Sequence, residues 1–195
     1  MFRSARHSTT TTRMRTRRYR RVAVVLTGLA TAAAVTPAGV PAASAAPLTY
    51  RITTAGSSLA LDVQDSATTD DTPVVQNPVN VGSRSQAWQT LLQSNGNYEL
   101  VNANSGMCLS VYYAQTTAGA PLVQYDCHGY TDQQWKINGP NSTGDFSFQS
   151  ALDNFYVDVP GGSVAWNTQL DLWPGSGPGG TPAVNQLFLM LPVST

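Results

Sequence analysis

From Tyr50 to Leu191, apolar and aromatic residues come in short clusters separated by Gly, Pro, Ser, Thr, Asn and Gln. No stretch sustains the three-and-four spacing of an amphipathic helix. Short apolar runs bounded by turn residues mark strands instead, and the pattern predicts an all-β chain. The clusters also recur in register. Tyr50-Arg51-Ile52, Tyr98-Glu99-Leu100 and Phe146-Ser147-Phe148 stand 48 residues apart, as do Leu61-Asp62-Val63, Leu109-Ser110-Val111 and Val157-Asp158-Val159. Asn77, Tyr125 and Trp173 each follow the middle of the latter triplet by 15 residues, after an apolar stretch. Each copy closes on Gln-x-aromatic: Gln86-Ala87-Trp88, Gln133-Gln134-Trp135 and Gln186-Leu187-Phe188.

A repeat of this length holds four short strands and cannot bury its apolar face alone. Three copies around a shared centre can, and closing the sheet removes its exposed edges. Three units exclude a seven-bladed propeller or a solenoid. The Gly/Pro-rich stretch Pro174 to Thr181 absorbs most of the extra length of the third copy. The recurrence of Trp88, Trp135 and Phe188 after apolar runs marks them as core aromatics.

These three registered series resemble the ricin B-type lectins, whose fold is the β-trefoil and which are also classed as a carbohydrate-binding module family. The resemblance runs from about Tyr50 to Leu191 and implies carbohydrate as the partner. It implies a disulfide between Cys108 and Cys127, the only cysteines. It also implies where sugar would bind in each repeat. The acidic centre of the Leu-Asp-Val triplet and the residue before the Gln of Gln-x-Trp would bond hydroxyls, and the aromatic 15 residues on would stack. The third repeat carries the full set, with Asp158, Trp173 and Asn185, Asp171 as polar helper, and Gln186 bracing Asp158. The second is partial: Tyr125 and Asp132 are present, Ser110 replaces the carboxylate, and Gln124 stands beside the helper place. The first is degenerate, keeping Asp62 but offering Asn77 and Ser85 in the other two places. Trp166 either extends the third site or covers a loop.

The amino-terminal segment carries eight arginines, an apolar run of about 14 residues from Val22 to Val35, and Ala43-Ser44-Ala45. The run is shorter than the roughly 20 residues of a membrane span. Residues 1–45 therefore read as a cleavable signal peptide and 46–195 as the trefoil domain, secreted to the extracellular space. Arg17-Arg18 and Arg20-Arg21 leave the twin-arginine and general export routes both open. Removing the leader changes the charge. The whole chain balances 11 basic against 11 acidic residues, but only Arg51, Arg84 and Lys136 lie beyond the leader, against all 11 acids, a net of −8. Such a surface repels nucleic acid and offers anionic membranes no basic patch.

One histidine, His128, follows the leader, and neither a nucleophile elbow nor a His-Glu-x-x-His motif occurs. The expected protein is a monomeric lectin without catalytic activity, cofactor or metal. The alternative is a trefoil that binds a protein partner, of inhibitor or toxin-subunit type.

Overall fold

A computed structural model describes residues 47–193; the signal-peptide reading of residues 1–45 falls outside them. The described chain forms thirteen strands. The first repeat contributes β1 (Leu48–Thr54), β2 (Ala60–Val63), β3 (Thr72–Asn77) and β4 (Ala87–Leu92). The second contributes β5 (Tyr98–Asn102), β6 (Cys108–Val111), β7 (Ala120–Tyr125) and β8 (Trp135–Asn138). The third contributes β9 (Ser147–Ser150), β10 (Tyr156–Asp158), β11 (Thr168–Gln169), β12 (Asp171–Trp173) and β13 (Phe188–Pro192). Strands β11 and β12 together occupy the place of β3 and β7, interrupted at Leu170.

Six of the strands close a barrel. β1 pairs with β4, β4 with β5, β5 with β8 and β8 with β9. A Phe146–Phe188 bridge carries β9 to β13, which pairs back to β1. The hairpins β2–β3, β6–β7 and β10–β12 form a triangular cap, joined edge to edge by β3–β7, β7–β12 and β11–β3. This is the β-trefoil that the repeat predicts.

The core follows the threefold order residue by residue. Ile52, Leu100 and Phe148 form one equivalent set; Leu61, Leu109 and Val157 another; then Val63, Val111 and Val159, and Val74, Leu122 and Leu170. Trp88, Trp135 and Phe188 are fully buried beneath the cap. The two indoles donate Nε1–H to the carbonyls of Leu61 and Leu109, each at 3.2 Å. Core aromatics of this kind supply burial and satisfy their own polar tip.

The Cys108–Cys127 disulfide is formed, with the Cα atoms 5.1 Å apart, tying the start of β6 to the segment after β7. The equivalent places are Ala60 and Val79 in the first repeat and Tyr156 and Gly175 in the third, which depend on packing.

Candidate functional site

The third-repeat cleft is a product of strand alternation. On β10 and just beyond it, Val157 and Val159 turn into the core, so Asp158 between them faces the other way. On β12, Leu172 is the core residue, which puts Asp171 and Trp173 on the opposite face. The antiparallel register sets Asp158 against Asp171 and Tyr156 against Trp173. Residues opposite one another share a face, so the 15-residue spacing brings the carboxylate and the aromatic together.

The result is a cleft of about 300 Å³ lined by Asp158, Pro160, Gly161, Asp171, Trp173, Ser176 and Asn185. Trp173 is 44% exposed and offers a free ring face. The second repeat supplies a close neighbour. Gly119, at φ +86°, lies where an added Cβ would sit 3.8 Å from the Trp173 ring and 3.9 Å from Asp171 Oδ2.

Asp158 accepts a 2.8 Å hydrogen bond at Oδ1 from the Asn185 amide, which also donates to the Val159 carbonyl. Burial pushes the Asp158 carboxyl up to about 6, with the Gln186 amide opposing the rise. Asp171 is pushed up to about 7, first by burial and then by the neighbouring Asp158 charge. Its Oδ1 is buried without a protein partner.

Gln186 lies behind Asp158, and its side-chain hydrogen bond to that carboxyl opposes the rise. It is fully buried and cannot touch a ligand. Its amide donates to the carbonyls of Trp173 and Pro174, and its oxygen accepts from the backbone N–H groups of Ser176 and Ala183. It staples the Gly/Pro-rich loop to the end of β12, and so sets one wall of the cleft.

The second repeat forms a cleft of about 330 Å³ that includes Ser110, Tyr125 and Asp132. Ser110 Oγ donates to Asp132 Oδ2 at 3.1 Å. In the first repeat the same two positions carry the groups in reverse, Ser85 Oγ donating to Asp62 Oδ1 at 2.6 Å. The second repeat has thus moved its carboxylate across the pair rather than lost it. Tyr125 is partly exposed, and Tyr113 and Tyr130 stand largely in solvent around the cleft, with His128 beside them. His128 Nε2 lies 3.6 Å from Asp132 Oδ2.

Sequence reasoning missed Tyr113, His128 and Tyr130. Tyr113 was findable, because it holds the place of the cleft-lining Gly161 one repeat later. It sits at φ +50°, in a region that side chains rarely adopt.

Gln124 does not belong to this cleft. It is fully buried, donates to the carbonyls of Ala67 and Thr69, and accepts from Ser105 Oγ. Gln76 does the equivalent work toward the carbonyls of Ser163 and Ala165. Both are pins between repeats.

In the first repeat Asp62 accepts from Ser85 Oγ, the Asn77 amide and the Gln86 amide. Three protein donors occupy the carboxylate, and the position of the stacking aromatic is taken by Asn77. Trp166 is 68% exposed in the β10–β11 connection and is not among the residues that line the third-repeat cleft. Among the described residues, no group of three or more His, Cys, Asp or Glu side chains is placed to hold a metal ion. No helix among them is long and apolar enough to cross a membrane.

The fold is a trefoil with three cap hairpins, of which the third sets a cross-strand pair of carboxyls beside an exposed aromatic. The chain belongs to the family described as ricin-type beta-trefoil lectin domain-like, whose model matches residues 42–125 and 84–173. Among solved structures it is similar to the designed threefold-symmetric protein ThreeFoil, at 27% identity and TM-score 0.67, covering 73% of this chain and 97% of that one. It is similar to an exo-beta-1,3-galactanase from Clostridium thermocellum at 29% identity and TM-score 0.67, covering 75% of this chain but 30% of that one. The Macrolepiota procera ricin B-like lectin, solved in complex with lactose, shares the fold at 19% identity and TM-score 0.61, covering 76% of this chain and 97% of that one. A search among curated proteins finds no match.

Proposed function

We propose that this protein is a secreted carbohydrate-binding lectin without catalytic activity, whose principal sugar site is the third-repeat cleft. The observation that carries the reading is the exposed Trp173 face, 44% accessible, beside the carboxyls of Asp158 and Asp171 in one cleft. A flat aromatic gains dispersion and weak C–H contacts against a sugar ring, and carboxylates make the stronger bonds to its hydroxyls. Asn185 holds Asp158 in place, and Ser176 adds a hydroxyl at the rim.

Catalysis is disfavoured by geometry. Asp158 and Asp171 are cross-strand neighbours on one wall, whereas glycoside hydrolysis places its two carboxyls on either side of the scissile bond. Export follows from the arginine-rich, apolar, Ala-x-Ala amino-terminal pattern.

The second-repeat cleft is a weaker site by this reading, because Val123 stands where the third repeat has Asp171. A shallow site for a small sugar leaves little free energy after ordering costs, so dissociation constants of roughly millimolar to tens of micromolar are expected. The test is binding of purified residues 46–195 to a panel of immobilised glycans, followed by elution with free monosaccharide. Retention and sugar-specific elution support the reading. Failure to bind any glycan, with capture of a protein partner that free sugar does not release, would overturn it.

A further inference from the structure

We propose that the sugar taken by the third-repeat cleft carries a protonated amine, as a 2-amino sugar or an oligomer of such units. The inference rests on the reading of this cleft as a sugar site and names the class of sugar.

Two carboxyl groups, Asp158 and Asp171, face the same space from opposed positions of one strand pair. Asp158 is 97% buried and held by the amides of Asn185 and Gln186, and Asp171 leaves Oδ1 buried with no protein donor. No Lys, Arg or His lines the cleft. Among the described residues, each Lys and Arg is engaged elsewhere. Arg51 is bonded to the carbonyls of Asn80 and Val81, Arg84 to that of Ala103, and Lys136 to Asn154. These three are the only Lys and Arg residues beyond the leader. The one other titratable side chain of β10, Tyr156, lines a separate cleft with Asn138 and Pro182. The cleft therefore concentrates negative charge and supplies nothing to balance it.

A neutral hydroxyl would fill the orphaned acceptor but bring no charge to offset the Asp158 charge that acts on Asp171. An ammonium group brings three N–H donors, no acceptor and a positive charge, so one group satisfies both carboxylates and offsets that charge. The Trp173 face stands beside them for the ring, and adds a cation–π attraction if the ammonium lies over it. The carboxyls are raised to about 6 and about 7 by burial first and, for Asp171, by the Asp158 charge next. A bound cation would draw the protons off and lower both.

The experiment is calorimetric titration of residues 46–195 with four probes: a glucosamine trimer, its N-acetylated counterpart, a glucose trimer, and ethanolamine as a bare cation. At about pH 7 the glucosamine trimer is expected to bind about tenfold tighter than either neutral trimer. Its affinity should follow a bell. It falls on the acid side as the carboxyls protonate, and on the alkaline side as the amine loses its proton, near the 7.7–8.0 or so of an α-amino group. Asp171→Asn should shrink the advantage to under about threefold while keeping weak binding of the neutral trimers.

Equal or tighter binding of a neutral trimer overturns the inference. If that binding is lost in Trp173→Ala, the sugar-site reading survives without it. Ethanolamine binding as tightly as the glucosamine trimer would show that the cleft reads charge alone, and would also overturn it. No binding of any trimer would overturn the inference, and the glycan panel would then decide the sugar-site reading by itself.

Discussion

Trp135 and Trp173 test whether core and site have been told apart. Trp135 is fully buried, packs in the threefold core, and donates its indole N–H to the Leu109 carbonyl at 3.2 Å. Truncation to alanine should cost about 3–5 kcal/mol for the lost contacts and cavity, with about 1 kcal/mol more for the hydrogen bond. For a domain of this size each kcal/mol moves Tm by about 2–4 °C, so a fall of roughly 8–24 °C is expected. Trp173 is 44% exposed and lies near Gly119 on one side. Its removal should cost about 1 kcal/mol of stability or less. By analogy with base stacking on aromatics it should also cost about 1–3 kcal/mol of sugar binding, a loss of about 5- to 150-fold. Urea unfolding and thermal melting of the two variants beside the parent, with sugar titration of each at low temperature, separate the effects. A Trp173→Ala protein that melts like Trp135→Ala would refute the assignment of exposed platform and buried core. So would a Trp173→Ala protein that binds sugar normally.

The disulfide should contribute about 3 kcal/mol by loop closure, so Cys108→Ser should melt lower yet bind sugar through the third repeat at low temperature; alkylation of native secreted protein should find no free thiol. Both cleft carboxyls are raised in the fold, from 3.8 to about 6 and about 7. Between those values the folded state holds more protons than the unfolded one, so ligand-free stability should be greatest in mild acid and fall as pH rises toward about 7. Asp171→Asn should flatten that slope in a melting series, and an unchanged slope would contradict the burial argument. Titration should reveal one stronger site and at most one weaker one, the weaker lost in Tyr125→Ala, whereas three equivalent sites would overturn the ranking of the repeats.

The 48-residue recurrence made the trefoil legible because four buried sets repeat at that interval, from Ile52, Leu100 and Phe148 to Val74, Leu122 and Leu170. The third-repeat cleft was legible for the same reason: Asp158 and Trp173 sit at positions that register and alternation bring to one face. What did not show was direction. Gln124 looks like a ligand-facing amide in a linear sequence, yet it turns inward to satisfy backbone groups left by irregular connections. The Ser110–Asp132 exchange was hidden because each residue, judged against its own column, reads as a loss or a remnant. Only their contact at 3.1 Å reveals a pair preserved with its members reversed. Tyr130 lies on a connection outside the strand register, where spacing carries no information about which cleft a side chain borders.

The most direct test of the central claim is the indole N–H spectrum of isotope-labelled protein during sugar titration. The four tryptophans, Trp88, Trp135, Trp166 and Trp173, give four separable reporters. The Trp173 resonance should move progressively to saturation, while those of Trp88 and Trp135, buried in the core, stay in place. A Trp173 signal that does not move while sugar demonstrably binds would place the site elsewhere and contradict the account.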